Sequence, residues 1–286
     1  FPPLVDSEAK KIASEGITDK DLKGRLDMRA TTTFTIDPED AKDFDDALSF
    51  KKLPNGHIEV GIHIADVSYY VKNNTALDKE ARRRGTSVYL VDRTIPMLPE
   101  ELSNGLCSLN PDVDRLTFSA VFEHDMNGHV HNEWFGRTVI HSDKRFTYEN
   151  AQKILDEGRG TFFNELFTLN AISKKLLKKR FLEGAISLEQ EEVKFKLDAN
   201  GVPLSVYTKE RGDTNKMIEE FMLMANRRVA EFMSSKKKGT QGVFLYRIHD
   251  TPNKEKMKDL VMFLKKLGYN MKLKDGIIPP EEINAL

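Results

Sequence analysis

Ten consecutive positions hold five aspartates and one glutamate, in the run Asp37-Pro38-Glu39-Asp40-Ala41-Lys42-Asp43-Phe44-Asp45-Asp46. Crowded carboxylates repel, so such a run costs free energy unless a cation or solvent compensates it. Hard oxygen ligands suit Mg²⁺, which keeps several waters and accepts substrate phosphate oxygens. Two such ions about 4 Å apart can activate water and stabilise the leaving oxygen in phosphodiester cleavage. In an extended stretch Asp43 and Asp45 point the same way while Phe44 turns toward the core. A loop of this composition can therefore aim Asp37, Asp43, Asp45 and Asp46 at one point. A calcium loop of the EF-hand kind is excluded. Counted from Asp37 or Asp43, its fifth position is Ala and its sixth is Lys or Leu, where Gly is required. A solvated acidic loop stays open as the alternative, and the spacing by itself names no reaction.

The elements around this run follow from composition and period. Thr31 to Ile36 is β-branched and aromatic and predicts a strand that runs straight into the acids, with Pro38 ending it. Hairpins are expected for Ala47–Phe50 with Ile58–Val67, across Pro54-Asn55-Gly56, and for Thr117–Glu123 with His129–Ile140, across Asn127-Gly128. Another pairs Val193–Leu197 with Leu204–Thr208. Thr86 to Val91 and Val243 to His249 also read as strands. Helices are expected over Asp6–Glu15 on the surface, Thr75–Arg84 stopped by Gly85, from Thr147 as N-cap through Leu155, and over Leu166–Leu182. The longest, Asp213–Ser235, gathers Ile218, Phe221, Met222, Ala225, Val229 and Phe232 on one apolar face. Thr251 is expected to cap a further helix with Pro252 in its first turn and Gly268 beyond its end. Mixed strands and helices, with hairpins and longer crossovers, predict an α/β (mixed α+β) domain with a mixed β-sheet flanked by helices.

The chain has 286 residues, enough for one large or two small domains, and its 44 basic against 45 acidic residues leave a formal charge of −1. Near-neutrality argues against a histone-like nucleic-acid coat but leaves room for a local basic channel. Its one cysteine, Cys107, can build neither a disulfide framework nor a Cys-based zinc site, so a reducing cytoplasm is the expected compartment. No stretch approaches the roughly 18 apolar residues of a membrane span, and no membrane partner is expected. No phosphate loop or dinucleotide fingerprint occurs. The closing run Pro279-Pro280-Glu281-Glu282-Ile283 reads as a helix beginning, and the expectation is a piece of a longer protein.

The segment Thr35-Ile36-Asp37-Pro38 with Asp40-Ala41-Lys42-Asp43-Phe44-Asp45-Asp46-Ala47 resembles the signature of the RNB catalytic domain of ribonuclease II and ribonuclease R. So do His63 to Val71, Arg84 to Leu90, Ile95 to Ser103 and Leu106 to Pro111, with fainter likeness at Ile218–Met222 and Arg247–Asp250. The similarity runs from about Gly24 to Gly268 and leans to the ribonuclease R subtype through the Gly85–Leu90 block. The resemblance implies a partial RNB catalytic domain over 1–286, with a linker over about 1–24 and the C-terminal part of the domain missing. It implies a processive, hydrolytic 3′→5′ exoribonuclease that releases nucleoside 5′-monophosphates from the 3′ end of single-stranded RNA. Mg²⁺ is the implied cofactor, as two ions with substrate bound and with Mn²⁺ as a substitute.

By position in the motif, Asp37, Asp43, Asp45 and Asp46 would serve the metal, and Asp45 is the carboxylate whose loss stops cleavage while RNA stays bound. Tyr89 would clamp the terminal nucleotides and set the end-product length. Tyr148 would pack near the scissile phosphate, and Glu220 rather than Glu219 would lie near the 3′-terminal bases. From the residues alone, Tyr89 reads as a half-buried strand tyrosine and Tyr148 as a first-turn helix residue. The family's downstream arginine segment and its flanking OB-fold modules, of cold-shock and S1 type, are expected outside this chain, and the activity of the chain by itself hinges on that arginine. Two other classes compete: a non-catalytic RNA-binding or scaffold member of the same fold, and another metal-dependent phosphoesterase. Lys174, Lys175, Lys178, Lys179, Arg180 and Lys236 to Lys238 read as solvated helix faces before phosphate contacts. His63 reads as a core histidine, and Cys107 and the methionines 217, 222 and 224 as packing residues.

Overall fold

The structure, a computed structural model, describes residues 1–187, 192–198, 201–209, 211–235 and 244–286. Its centre is a seven-stranded mixed sheet built from β1 (Leu26–Asp27), β2 (Thr32–Asp37), β3 (Asp46–Lys52), β4 (Ile58–Ala65), β7 (Asp114–His124), β8 (Val130–His141) and β9 (Lys144–Thr147). Strands β5 (Val88–Tyr89) with β6 (Thr94–Ile95), and β10 (Glu192–Leu197) with β11 (Pro203–Lys209), form two separate hairpins. The order across the sheet is β1-β8-β7-β4-β3-β2-β9. Its outermost pairs, β1 with β8 and β2 with β9, are parallel, and the inner ones are antiparallel. The mixed α/β architecture expected from the sequence is the one observed.

Alternation along the strands sorts the side chains between the two faces. Phe34, Ile36, Leu48, Phe50, Val60, Ile62 and Phe122 meet α5 (Tyr148–Glu157), α6 (Phe163–Leu182) and α7 (Asp213–Ser235). These helices present Ala151, Leu166, Leu169, Ile172, Met217, Ile218 and Phe221. The second core contains Ala47, Ala65, Leu116 and Val139 from the sheet, with Val5 and Ala9 of α1 (Pro3–Glu15) and Leu77 of α4 (Ala76–Arg84). It also takes Leu102 from a π-helical turn, Glu101–Leu106. The expected linker over 1–24 is thus a docked segment: α1 buries Val5 and Ala9, and α2 (Asp19–Leu22) follows it. Short α3 (Val67–Tyr70) closes the end of β4.

Other expectations shift for local reasons. Thr86–Val91 narrows to two paired residues because the chain turns back at once, Leu90 N–H donating to the Arg93 carbonyl. Residues 244–249 are irregular and exposed, Leu245 by 95%, and Val243 lies outside the described residues. β-propensity without a partner strand forms no sheet. Helix α8 (Lys254–Lys266) is capped by Asn253, whose side chain accepts from the Glu255 and Lys256 amides, rather than by Thr251. The terminal helix α9 is the single turn Pro280–Ile283. Lys236 to Lys238 lie outside the described residues. Among the described residues no helix is long and apolar enough to cross a membrane.

A buried polar stripe crosses the middle of the sheet. His63 Nδ1 lies 2.6 Å from Ser119 Oγ and Nε2 lies 2.9 Å from Ser49 Oγ. Ser119 continues to Thr138 Oγ1 at 2.5 Å and Thr138 to Thr117 Oγ1 at 2.5 Å. Burial pushes the His63 pKa down to about 3, so the ring is neutral and its two nitrogens play opposite roles, one donating and one accepting. It is a core histidine, as its sequence setting suggested. Gly61 leaves room for this contact: a Cβ there would come within 2.3 Å of Ser49 Oγ and 2.5 Å of His63 Nε2. Gly61→Ala is therefore expected to destabilise the fold by about 1–3 kcal/mol through overpacking, seen as a lower denaturation midpoint. A midpoint equal to that of the unsubstituted protein would show that the stripe tolerates rearrangement.

Candidate active site

Asp37 is the last residue of β2, and Asp46 is the first of β3, its antiparallel neighbour, so the loop between them starts and ends at the same edge of the fold. Three anchors hold it. Ser108 Oγ accepts from the Phe44 amide at 2.9 Å and donates to the Lys42 carbonyl at 2.9 Å. The Leu109 amide donates to the Phe44 carbonyl at 2.7 Å. Arg145 Nη2, from β9, donates to the carbonyls of Pro38 and Glu39 at 2.6 and 2.9 Å. Phe44 is buried between Asp43 and Asp45, as the alternation predicted.

The carboxylates repel one another. Burial lifts the Asp46 carboxyl to about 7, with Asp45 and Asp37 adding to the push. Burial likewise raises Asp37 to about 6; the nearby Thr35 hydroxyl and Arg145 guanidinium pull down, and Asp45 and Asp43 push up. Asp45 opens to solvent on one side, yet the protein around it raises its carboxyl and Asp43 adds to the effect. Asp37 Oδ2 is buried and has no hydrogen-bond partner among the described residues.

Two of the expected aromatics join this group. Tyr89, 66% exposed on the β5–β6 hairpin, leans over the loop and donates its hydroxyl to Asp43 Oδ2 at 2.8 Å. That bond is the main reason its pKa rises to about 12. Tyr148 opens α5 behind the Thr147 cap, where the Asn150 amide donates to Thr147 Oγ1. Burial raises the Tyr148 hydroxyl to about 12, and the charges of Asp46, Asp37 and Asp45 add to the rise. Glu220 stands apart. It is 3% exposed on α7, takes the Arg180 guanidinium of α6 on both oxygens, and shares no interaction with the aspartates among the described residues. Glu219, its neighbour, bridges Arg180 and Arg211.

The protein pairs its other buried acids. Asp66 has Arg25 at 2.7 Å, Glu80 has Arg83 and Arg84 at 2.8 Å, and Glu220 has Arg180 at 2.5 Å. Asp37, Asp45 and Asp46 have no ion pair among the described residues. An uncompensated group of hard oxygen donors, one of them an orphaned buried oxygen, fits a divalent cation. Among the described residues no group of three His, Cys, Asp or Glu side chains is placed to hold a metal ion by itself. On the basic helix face of α6, Lys174 pairs with Asp213 at 2.5 Å and Lys179 with Glu183 at 3.9 Å, so much of that charge is spent inside the protein.

Sequence reasoning gave no role to Ser108 and Arg145, which hold the loop. Ser108 lies in a block of family likeness, but a buried serine, like an arginine facing backbone carbonyls, leaves no signature of its own.

The RNB domain family matches residues 25–285. Ribonuclease R of Thermotoga maritima is 43% identical over 286 residues, covering 98% of this chain and 39% of that protein. A protein of Arabidopsis thaliana named inactive exonuclease DIS3L2 is 40% identical over 271 residues, covering 89% of this chain and 25% of its own length. Among solved structures, ribonuclease R of Mycoplasma genitalium in complex with ribose-methylated single-stranded RNA superposes with a TM-score of 0.88 at 28% identity. That match covers 98% of this chain and 44% of the other. The chain therefore spans well under half the length of these relatives.

Raised carboxyls make a stability prediction. Asp37 and Asp46 bind protons more tightly folded than unfolded, so the metal-free protein loses stability as the pH rises through about 6 and 7. In EDTA at pH 8, Asp46→Asn should raise the thermal midpoint by roughly 2–4 °C, equivalent to about 1 kcal/mol. The gain should shrink as the pH falls below about 7 and vanish only below about pH 4, where the unfolded chain's carboxyl is protonated as well. An unchanged or lower midpoint at pH 8 would show that this carboxylate is compensated.

Proposed function

The chain belongs to the RNB domain family, and from that premise we propose that it is the metal-dependent part of a ribonuclease R-type exoribonuclease. It removes nucleoside 5′-monophosphates from the 3′ end of single-stranded RNA. One observation carries the reading: Asp37, Asp45 and Asp46 have no ion pair among the described residues and push one another's carboxyls up, while the buried Asp66, Glu80 and Glu220 are each paired with arginine. Similarity alone would not suffice, because one relative at 40% identity bears the name inactive.

Asp37, Asp43 and Asp46 would hold Mg²⁺, or Mn²⁺ in its place. When bound, Mg²⁺ supplies positive charge to the reacting phosphate and acidity to water. Asp45, facing solvent beside Asp43, orients the attacking water and accepts its proton. The water oxygen then bonds to phosphorus as the bond to the 3′ oxygen of the remaining strand breaks, that oxygen takes a proton from solvent to become a hydroxyl, and the last nucleotide leaves as its 5′-monophosphate. Tyr148 packs beside the phosphate, with its hydroxyl neutral and able to donate, since its pKa lies near 12. Tyr89 offers an exposed ring on which any base stacks, as a sequence-tolerant enzyme needs. Glu220 would lie near the 3′-terminal bases, and its bond to Arg180 ties α7 to α6. The flanking OB-fold modules would feed the strand, and the family's downstream arginine would add transition-state charge. A lone buried cysteine suits a reducing compartment, and the cytoplasm is where we place the reaction.

The test is degradation of a 5′-labelled single-stranded oligoribonucleotide with Mg²⁺ or with EDTA, by this chain and by the chain joined to the family's arginine segment. Stepwise, Mg²⁺-dependent shortening from the 3′ end is expected. Asp45→Asn should slow it by roughly 10³-fold or more and leave RNA affinity within about twofold. An equal loss of binding would remove Asp45 from the chemistry, and silence of both proteins would favour the binding module. Tyr89→Ala should weaken RNA binding by about 1–3 kcal/mol, the loss of one stacked base, and lengthen the final product. Unchanged affinity and product length would leave Tyr89 as a prop for Asp43.

A further inference from the structure

Arg145 stands outside the residues to which the family resemblance gives a role. It lies on β9, opposite Thr35 of β2 in parallel register, and its side chain reaches both ends of the acidic loop. At the entry, Nη2 bridges the carbonyls of Pro38 and Glu39, directly after Asp37. At the exit, the guanidinium carbon lies 5.4 Å from the centre of the Phe44 ring, which is 8% exposed and seated between Asp43 and Asp45. A guanidinium is suited to this double duty: its flat fork reaches two acceptors while its face stacks on an aromatic ring, and an ammonium cannot do both. Three residues further along the same segment, after the Thr147 cap, comes Tyr148.

The loop needs such a fastening. Four carboxylates of one sign push it outward, and within the loop the Ala41 amide donates to the Pro38 carbonyl, the same oxygen that Arg145 grips. Ser108 holds the backbone at Lys42 and Phe44, while Arg145 holds the loop's entry at Pro38 and Glu39 and the Phe44 ring. We propose that Arg145 is a positioning residue for the metal-dependent reaction: it clamps the loop so that the acids on either side of it face one point. It also ties them to the strand that delivers Tyr148. This rests on the function proposed above.

Four measurements on Arg145→Ala and Arg145→Lys test it: Mn²⁺ affinity by titration calorimetry or electron paramagnetic resonance, amide exchange at Ala41 and Phe44 in EDTA, RNA affinity in EDTA, and kcat against KM. For Arg145→Ala, Mn²⁺ affinity and kcat should each fall by about 10- to 100-fold, the usual effect of losing a partner that orients metal ligands. Amide exchange at Ala41 and Phe44 should speed up, with RNA affinity and KM within about twofold. Arg145→Lys should recover part of the Mn²⁺ affinity, since it can take one carbonyl but not the ring as well. Unchanged Mn²⁺ affinity and exchange in Arg145→Ala would overturn the proposal. So would Arg145→Lys matching the unsubstituted protein in every readout, and this variant decides the matter alone should the alanine variant not fold. If the unsubstituted protein binds no Mn²⁺, the proposed function fails; the exchange measurement, made without metal, still tests whether Arg145 clamps the loop.

Discussion

Four carboxylates of like charge, held at the junction of β2 and β3, are the constraint to which the surrounding structure answers. Burial, with their mutual repulsion added to it, is what lifts Asp37 and Asp46 far above the ordinary carboxylate range. A chain left to itself would relieve that pressure by swinging the loop into water. Here the strands prevent it: Asp37 is tied into the parallel ladder with β9, and Asp46 is paired with Ile64 in the antiparallel ladder with β4. The repulsion is thereby stored in a rigid frame, where a divalent cation would relieve it.

The frame is rigid because both faces of the sheet are filled. On one face, aromatic and aliphatic side chains from six strands and three helices form a continuous core. The opposite face contains the Ser49–His63–Ser119–Thr138–Thr117 stripe, whose hydrogen bonds reach across β3, β4, β7 and β8. A one-residue slip of β3 against β4 would separate Ser49 from His63 and turn the whole strand over. A polar stripe in the core therefore specifies register as well as contributing stability. The register it fixes is the one that brings Asp46 to the same edge as Asp37.

Legibility followed the range of the interaction. The acidic run could be read from residue types alone, because crowding is a local property of the chain. Helix α7 and the long hairpins could be read from periodicity, and α5 from its Thr147 cap. Tyr89 and Tyr148 became site residues only through resemblance, since a tyrosine near a strand or helix start is ordinary packing. Arg145 and Ser108 were silent for a different reason. Their partners are backbone groups 107 and 66 residues away, and a carbonyl has no identity in the sequence. Glu220 entered only through resemblance, and its ion pair was silent because Arg180, 40 residues earlier on another helix, is what takes it up. The expected Val243–His249 strand shows the converse: its described residues, 244–249, pair with no strand among the described residues and stay irregular.

The same physics bears on how the cation would be chosen. A closed cage of three or four protein ligands would bind tightly without substrate and would favour zinc or calcium. Among the described residues no such cage is formed, although the negative charge for one is present. On the function proposed above, oxygens from water and from the phosphate to be cleaved would complete the ion's shell, and binding of metal and of RNA would reinforce each other through that shared phosphate. Tyr89 extends that coupling, because its hydroxyl holds Asp43 while its exposed ring is free to meet a base. A base stacked there would bear directly on the side chain that holds one of the acids, joining recognition of the strand to the arrangement of the metal site.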